Sequence, residues 1–450
     1  MRTKFRQVVS QLAQDIKSGD LKPGDRLPTH RELAYRFGLS LGTATRVFAE
    51  LDAMGLTVGE VGRGTFVRMN GDARAVDFSL SDPAGDFVDF GRNRLVLPEQ
   101  DEIFRNGLQN VLGNADCDTL DYRNNAGSAY DRRMIWYWLN EERAVPIFGH
   151  EALTICSGGQ HALMLALLAA CHPGDCVAVE ELTYPVVRLA CEMLHLDVVT
   201  VQSDAQGICP QSLDQLCREA PVRLLFCMPN MQNPTSVTMP LERRTQIAGL
   251  LKEHDIYALE DDAYGFLLKA PPMSLSELAP DHVFYSRTLS KSWAPGLRIC
   301  YLASPEKMLE RVDKAQRSTV WMTAPLMASL ATYLVRTGQY GIVIGKKRRE
   351  IAKRQAILGR VFDGMALQTD PASMHVLLPA PDTVRTGALL EALEKVKVIA
   401  SPISQFAAGD DIRARPMGIR LCIGAPQNRM LLEDGLRRIR TTITALQDNP

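Results

Sequence analysis

Apolar residues recur at helical spacing near the start of the chain. Phe5, Val8, Val9, Leu12, Ala13 and Ile16 share one face of a predicted helix over 5–18, which Gly19 ends. Lys22-Pro23-Gly24-Asp25 is a turn signal. Thr29 and Glu32 then have the spacing of a capping box, in which each side chain satisfies the other's backbone amide. They predict a short helix that buries Leu33, Ala34 and Phe37 and stops at Gly38. Ser40 caps a longer helix, Leu41 to Met54, with Ala44, Val47, Phe48 and Leu51 on its inner face and Gly55 at its end. Val58 to Val67 reads as a two-stranded ribbon turning at Gly62-Arg63-Gly64. Helix, helix, short turn, helix and ribbon make a winged helix-turn-helix, whose third helix enters the major groove of DNA.

Further along, short apolar runs alternate with helical patterns. Leu153-Thr154-Ile155-Cys156 leads through Ser157-Gly158-Gly159-Gln160 into an apolar helix, His161 to Cys171. Strand-like runs follow at Cys176–Glu180, Val198–Val201, Leu224–Met228, Tyr257–Glu260, His282–Ser286 and Ile299–Leu302. This alternation predicts an α/β layer sandwich with a mostly parallel sheet, which binds ligands at the carboxyl ends of its strands. Between the two patterns, 69–87 has little apolar periodicity and reads as a linker. The expected division is a head over 1–68, a linker over 69–87 and a body over 88–450.

Composition adds limits. The 450 residues, 46% hydrophobic and 23% charged, fit a multidomain globular protein. No apolar run reaches the length of a membrane span, and Met1–Gln7 lacks the apolar core of a signal peptide, so no membrane partner and a cytoplasmic location are expected. Ten scattered cysteines, many in apolar runs, read as reduced core residues. Cys171 and Cys176 lack a second ligand pair, so no metal is expected. Net charge is −1, yet residues 1–69 hold 11 Lys+Arg against 7 Asp+Glu. A basic head on an acidic body suggests that the head meets a polyanion.

On the head, Gly42, Thr43, Thr45 and Arg46 face outward near the start of the third helix, where small residues allow close approach and an arginine reaches phosphate or guanine. Arg31 opens the preceding helix, and Arg63 stands at the ribbon tip, placed for the minor groove. In the body, Lys291 follows Thr288 and Ser290 and precedes Arg298. An amine that condenses with an aldehyde needs a lowered pKa, and hydroxyls with a guanidinium suit phosphate oxygens. A phosphate-bearing aldehyde held by a lysine describes pyridoxal 5'-phosphate, PLP. Gly158-Gly159-Gln160 opens a helix where free amides favour a phosphate. Tyr184 offers a ring for stacking, Asn233-Pro234 a donor, and Asp261 a carboxylate for a ring nitrogen, with Tyr264 three positions on. Taken singly, each of these also reads as a turn or a core residue.

Pro23–Pro28, Arg31-Glu32-Leu33-Ala34, Thr43, Glu50-Leu51, Gly55-Leu56 and Gly62–Val67 together closely resemble the DNA-binding head of GntR-family repressors. Thr29-His30 stands where that family often has two serines, which keeps the cap and alters the phosphate contact. The resemblance implies DNA contacts by Thr29, His30, Arg31, Ser40, Thr43, Thr45, Arg46, Arg63 and Gly64. The body residues, taken in order, resemble fold-type I aminotransferases, especially those similar to aminoadipate and kynurenine aminotransferases. That resemblance implies a fold with a smaller C-terminal subdomain and PLP as cofactor. Lys291 forms the Schiff base and Asp261 partners the pyridine nitrogen. Asn233 and Tyr264 lie at the ring hydroxyl, Tyr184 stacks, and Gly159, Gln160, Thr288, Ser290 and Arg298 hold the phosphate. Arg420 takes a carboxylate, and Tyr122 reaches the cofactor of a neighbouring subunit. Gly159 replaces a frequent serine, losing a hydroxyl and keeping the amide.

Head and body together resemble the MocR subfamily of transcriptional regulators. The implied protein is a homodimer that binds operator DNA, and is nucleoid-associated when it does. It senses a small amino compound when that compound displaces Lys291 as an external aldimine. A working aminotransferase and a sensor of PLP itself, controlling vitamin B6 supply, are the alternatives.

Overall fold

The computed structural model describes residues 2–17, 20–21, 25–53, 56–60, 64–67, 86–113, 121–142, 149–381, 384, 386–409 and 417–448. They form two compact units, a head and a body. Pro23, Gly24, Gly55, Gly62, Arg63 and nearly all of the expected linker lie outside the described residues.

In the head, helices α1 (Arg2–Lys17), α2 (His30–Phe37) and α3 (Leu41–Ala53) precede an antiparallel ribbon of β1 (Thr57–Glu60) and β2 (Gly64–Val67). The expected faces turn inward: Val8, Val9, Leu12, Ala13, Leu33, Ala44, Val47, Phe48 and Leu51 are buried together with Leu27 and Val67. The capping box forms as predicted, with Thr29 Oγ1 accepting from the Glu32 amide and Glu32 accepting from the Thr29 amide. Gly38 ends α2 in the left-handed region at φ 60°, which favours glycine.

The body is built on a seven-stranded sheet. Its strands in chain order are β3 (Leu153–Cys156), β4 (Cys176–Glu180), β5 (Asp197–Val201), β6 (Val222–Cys227), β7 (Tyr257–Asp261), β8 (Val283–Thr288) and β9 (Cys300–Ala303). The order across the sheet is β3-β9-β8-β7-β6-β4-β5. Strands β3, β4, β7, β8 and β9 are near-continuous apolar runs because both faces are covered, as parallel sheets require. After β3, helix α4 (Gly159–Ala170) is apolar around most of its surface and almost wholly buried. Each leucine buried there contributes roughly 1.5–3 kcal/mol. The sheet departs from the simple alternating expectation at β9, which runs antiparallel to both β8 and β3. Its start therefore lies at the same sheet edge as the carboxyl ends of its neighbours.

A second core supplies the smaller subdomain. There a three-stranded antiparallel sheet has Gly418–Cys422 at its centre, flanked by His375–Pro379 and Ser401–Pro402. Val376, Leu378, Ile419 and Leu421 of this sheet pack with Leu432, Leu436, Ile439 and Ile443 of the last helix, Arg429–Asp448. Every cysteine among the described residues is free, and most are buried. No helix among the described residues is long and apolar enough to cross a membrane.

Candidate functional site

The carboxyl ends of the large sheet carry the expected chemistry. Asp261 closes β7 beside Asp262, and the two aspartates have different fates. Asp262 is fully buried and accepts from Asn230 Nδ2 (2.7 Å), Tyr285 Oη (2.6 Å) and Arg287 Nη1 (2.6 Å). Among the side chains of the described residues, the Ser286 hydroxyl alone donates to Asp261, at 3.1 Å. Burial, reinforced by the neighbouring Asp262 charge, pushes the Asp261 carboxyl up to about 6. It is still a carboxylate at neutral pH, and it carries the negative charge that a protonated ring nitrogen needs.

Lys291 lies in the short turn after β8, and its amine donates to the Asn93 carbonyl at 2.9 Å. Burial, with Arg420 and Arg298 assisting and Cys422 and Asp261 opposing, lowers this amine to about 8. The charges of Asp261, Arg298 and Arg420 all act on Tyr184, and those of Asp261 and Arg420 on Tyr264. These residues therefore occupy one cluster. The Tyr184 hydroxyl accepts from Gln160 Nε2 at 3.4 Å.

The glycines form a cradle. Gly158 has φ 92°, and a Cβ built on it would lie 2.4 Å from the Arg298 guanidinium. A Cβ on Gly159 would lie 3.5 Å from Thr288. Thr288 caps the Lys291 turn by accepting from the Ser290 amide (3.3 Å), and Arg298 Nη1 reaches Ser290 Oγ at 3.5 Å. Arg298 itself adopts the left-handed region at φ 50°, an unusual conformation for a residue with a side chain. The start of α4, two hydroxyls and a guanidinium thus converge, and at position 158 only glycine leaves room beside the guanidinium. This donor set suits a phosphate.

Arg420 comes from the centre of the small sheet. It donates to Asn233 Oδ1 (3.2 Å), Ser401 Oγ (3.2 Å) and the Gly91 carbonyl, and its guanidinium lies 4.7 Å from the Phe406 ring centre. Its Nε is buried and has no hydrogen-bond partner among the described residues. Tyr122 is the exception to the clustering. It is 79% exposed and packs against the edge of Trp321, and no contact among the described residues joins it to the others.

Sequence reasoning missed Asn93 and His375. Asn93 lies in an aperiodic stretch and His375 opens an apolar strand, so neither carries a pattern. It also missed Lys347, fully buried, whose amine donates to the carbonyls of Lys291 (3.3 Å) and Trp293 (2.5 Å). Gln100 Nε2 donates to the same Trp293 carbonyl at 2.8 Å.

In the head, Ser40 Oγ accepts from the Thr43 amide (3.2 Å) and hydrogen-bonds the Thr43 hydroxyl (2.8 Å), which leaves Thr43 partly engaged. The exposed Thr45 turns its hydroxyl back to the Leu41 carbonyl, and the exposed Arg46 lies over the Phe5 ring. Arg31 is exposed, and His30 packs its ring 4.6 Å from that of Phe48. Gly64 adopts φ 120° against the guanidinium of Arg26, a cation that sequence reasoning left out.

Comparison with known proteins agrees with both halves. Residues 4–67 match the family of bacterial regulatory proteins, gntR family, and residues 86–439 match aminotransferase class I and II. The chain is 27% identical to the uncharacterized HTH-type transcriptional regulator YdeF of Bacillus subtilis (strain 168), over 98% of this chain and 95% of the relative. It is 28% identical to the HTH-type transcriptional regulator TauR of Rhodobacter capsulatus, over 82% and 81%. Among solved structures, kynurenine aminotransferase of Pyrococcus horikoshii, in complex with PMP, superposes with TM-score 0.74 at 24% identity. It covers 80% of this chain and 92% of that one, and shows the fold of the body. This chain therefore belongs to the aminotransferase class I and II family and carries a gntR-family head, the architecture of the MocR transcriptional regulators.

Proposed function

We propose that this chain is a DNA-binding transcriptional regulator that holds PLP at Lys291 and responds there to a small amino compound. The observation that carries this reading is the convergence at one sheet edge of a lowered amine, a carboxylate and a glycine-lined anion cradle. When bound, PLP supplies an aldehyde carbon that joins covalently to an amine. Lys291 provides that amine, Asp261 faces the ring nitrogen, and Asn233 and Tyr264 lie at the ring hydroxyl. Tyr184 stacks, while Gly159, Gln160, Thr288, Ser290 and Arg298 take the phosphate. Arg420, charged and with a buried Nε unpartnered among the described residues, receives the carboxylate of an amino acid effector. The exposed Tyr122 serves the site of a second copy in a homodimer.

The head binds an operator through Thr29, His30, Arg31, Ser40, Thr43, Thr45, Arg46, Arg63 and Gly64. The division at 1–68, 69–87 and 88–450 separates reading of DNA from sensing in a cytoplasmic protein. For regulation, the effector must bind two arrangements of the protein with different affinity.

The test is the visible spectrum of the purified protein as PLP and then amino compounds are added, with Lys291→Ala as the blank. A lysine-dependent band that amines shift without further turnover supports a sensor. Sequence-specific DNA binding lost in Arg46→Ala, with the band retained, supports the regulator. Absence of the band after PLP addition overturns the cofactor assignment. Conversion to the pyridoxamine form, reversed repeatedly by a keto acid, makes the body a working aminotransferase instead.

A further inference from the structure

We infer that His375 is a positioning residue that sets the direction of hydrogen bonding at Tyr264, so that the tyrosine presents its proton to the cofactor's ring oxygen. The inference rests on the PLP reading above and turns on His375 and Asn93, to which that reading gives no role.

A backbone carbonyl can only accept a hydrogen bond. The Gln232 carbonyl lies 3.0 Å from His375 Nε2, so this nitrogen carries the hydrogen. His375 is fully buried, and burial first of all, with the charges of Arg420 and Lys291 adding to it, drops its pKa to about 3, so the ring is neutral. A neutral imidazole has one N–H, which leaves Nδ1 as an acceptor. Asn93 Nδ2 lies 3.1 Å from that Nδ1. With the amide turned the other way, two acceptors would face each other, so the Asn93 orientation follows from the Gln232 carbonyl. The second N–H of Asn93 points to Tyr264 Oη at 2.8 Å. The tyrosine oxygen therefore accepts there, which leaves its one proton for another partner; Arg420, Cys422, Asp261 and Tyr184 are the groups whose charges act on this hydroxyl.

The histidine is itself held in place. Its carbonyl accepts from the hydroxyls of Ser236 (3.0 Å), Thr369 (3.0 Å) and Ser373 (2.8 Å), and its amide donates to Ser373 Oγ at 3.1 Å. The main chain of Asn93 also receives the Lys291 amine, so one residue orients the tyrosine and anchors the lysine.

The experiment follows the pH midpoint at which the lysine-dependent visible band of the PLP-loaded full chain titrates. A ring oxygen deprived of the Tyr264 proton holds the proton it shares with the adjacent nitrogen more tightly, so the midpoint rises. A hydrogen bond to a charged group corresponds to a rise of about one to two units. His375→Leu and Tyr264→Phe should each raise the midpoint by this amount, and the double variant should rise no further than Tyr264→Phe alone. His375→Asn, whose side-chain oxygen replaces the accepting Nδ1, should stay near the wild-type midpoint. An unmoved midpoint in His375→Leu, or shifts that add in the double variant, overturns the inference while leaving PLP binding intact. If His375→Leu does not fold, the asparagine variant decides, because a rise matching that of Tyr264→Phe overturns the inference. Absence of any band in the wild-type protein overturns the cofactor reading and this inference together.

Discussion

Lys291 should capture an aldehyde at a pH where an ordinary lysine is almost inert. At its usual value of 10.5, about one amine in 3,000 is unprotonated at pH 7. Burial and the two nearby arginines bring Lys291 to about 8, where roughly one in ten is free at that pH, a gain of roughly 300-fold in reactive amine. The assay mixes cofactor-depleted protein with limiting PLP and follows the growth of the visible band between pH 7 and 11, with Lys291→Ala as the blank. The second-order rate should rise about tenfold per pH unit and level off near 8. Arg420→Gln removes a cation that disfavours the ammonium form, so its plateau should begin at higher pH. A wild-type rate that keeps climbing through pH 10 would refute the reasoning, because the amine would then behave as one in water.

Three further outcomes follow from particular contacts. Gly158→Ala must displace the Arg298 guanidinium and strain a backbone at φ 92°, so PLP affinity should fall by about 10-fold or more, read by titrating the visible band. Arg287→Met removes a buried cation paired at 2.6 Å with the Asp262 carboxylate and should destabilise the body by about 3 kcal/mol. Tryptophan fluorescence in urea checks this for the body alone, since all four tryptophans lie beyond residue 135. Thr29→Ala breaks the capping box at the start of α2 and should cost about 1 kcal/mol of head stability, with weaker operator binding in fluorescence anisotropy that Thr29→Ser restores.

The large sheet was legible because most of its strands are buried on both faces, which writes unbroken apolar runs such as Leu224–Cys227 into the sequence. The head was legible through Thr29, Glu32 and Gly38, whose side chains or conformations end helices in recognisable ways. Strand direction was not legible. Cys300–Ala303 is as apolar as the two strands it pairs with, and only that pairing reveals the reversal. The small sheet was hidden for a different reason, since Ser401–Pro402 is too short to show a period. Lys347 stands in the run Lys346-Lys347-Arg348-Arg349, which reads as a solvated face, yet the helix turns this lysine alone fully inward. Asn93 and His375 were invisible because their roles depend on each other across the fold. Arg420 was placed by resemblance, and the structure brings it into contact with Asn233.

The reversed strand has a consequence for how tightly an anion can be held. Thr288 and Cys300 pair across the two antiparallel strands, and the Leu289 amide donates to the Ile299 carbonyl at 2.9 Å. The loop 289–299, which carries Ser290, Lys291 and Arg298, is thus tied at both ends by neighbouring strands. Closing a loop this short removes most of its chain entropy during folding. Association elsewhere commonly loses about 0.5–1.5 kcal/mol for each side chain that must be ordered at the moment of contact. Here much of that ordering has already happened, so a phosphate meets donors with little freedom left to surrender.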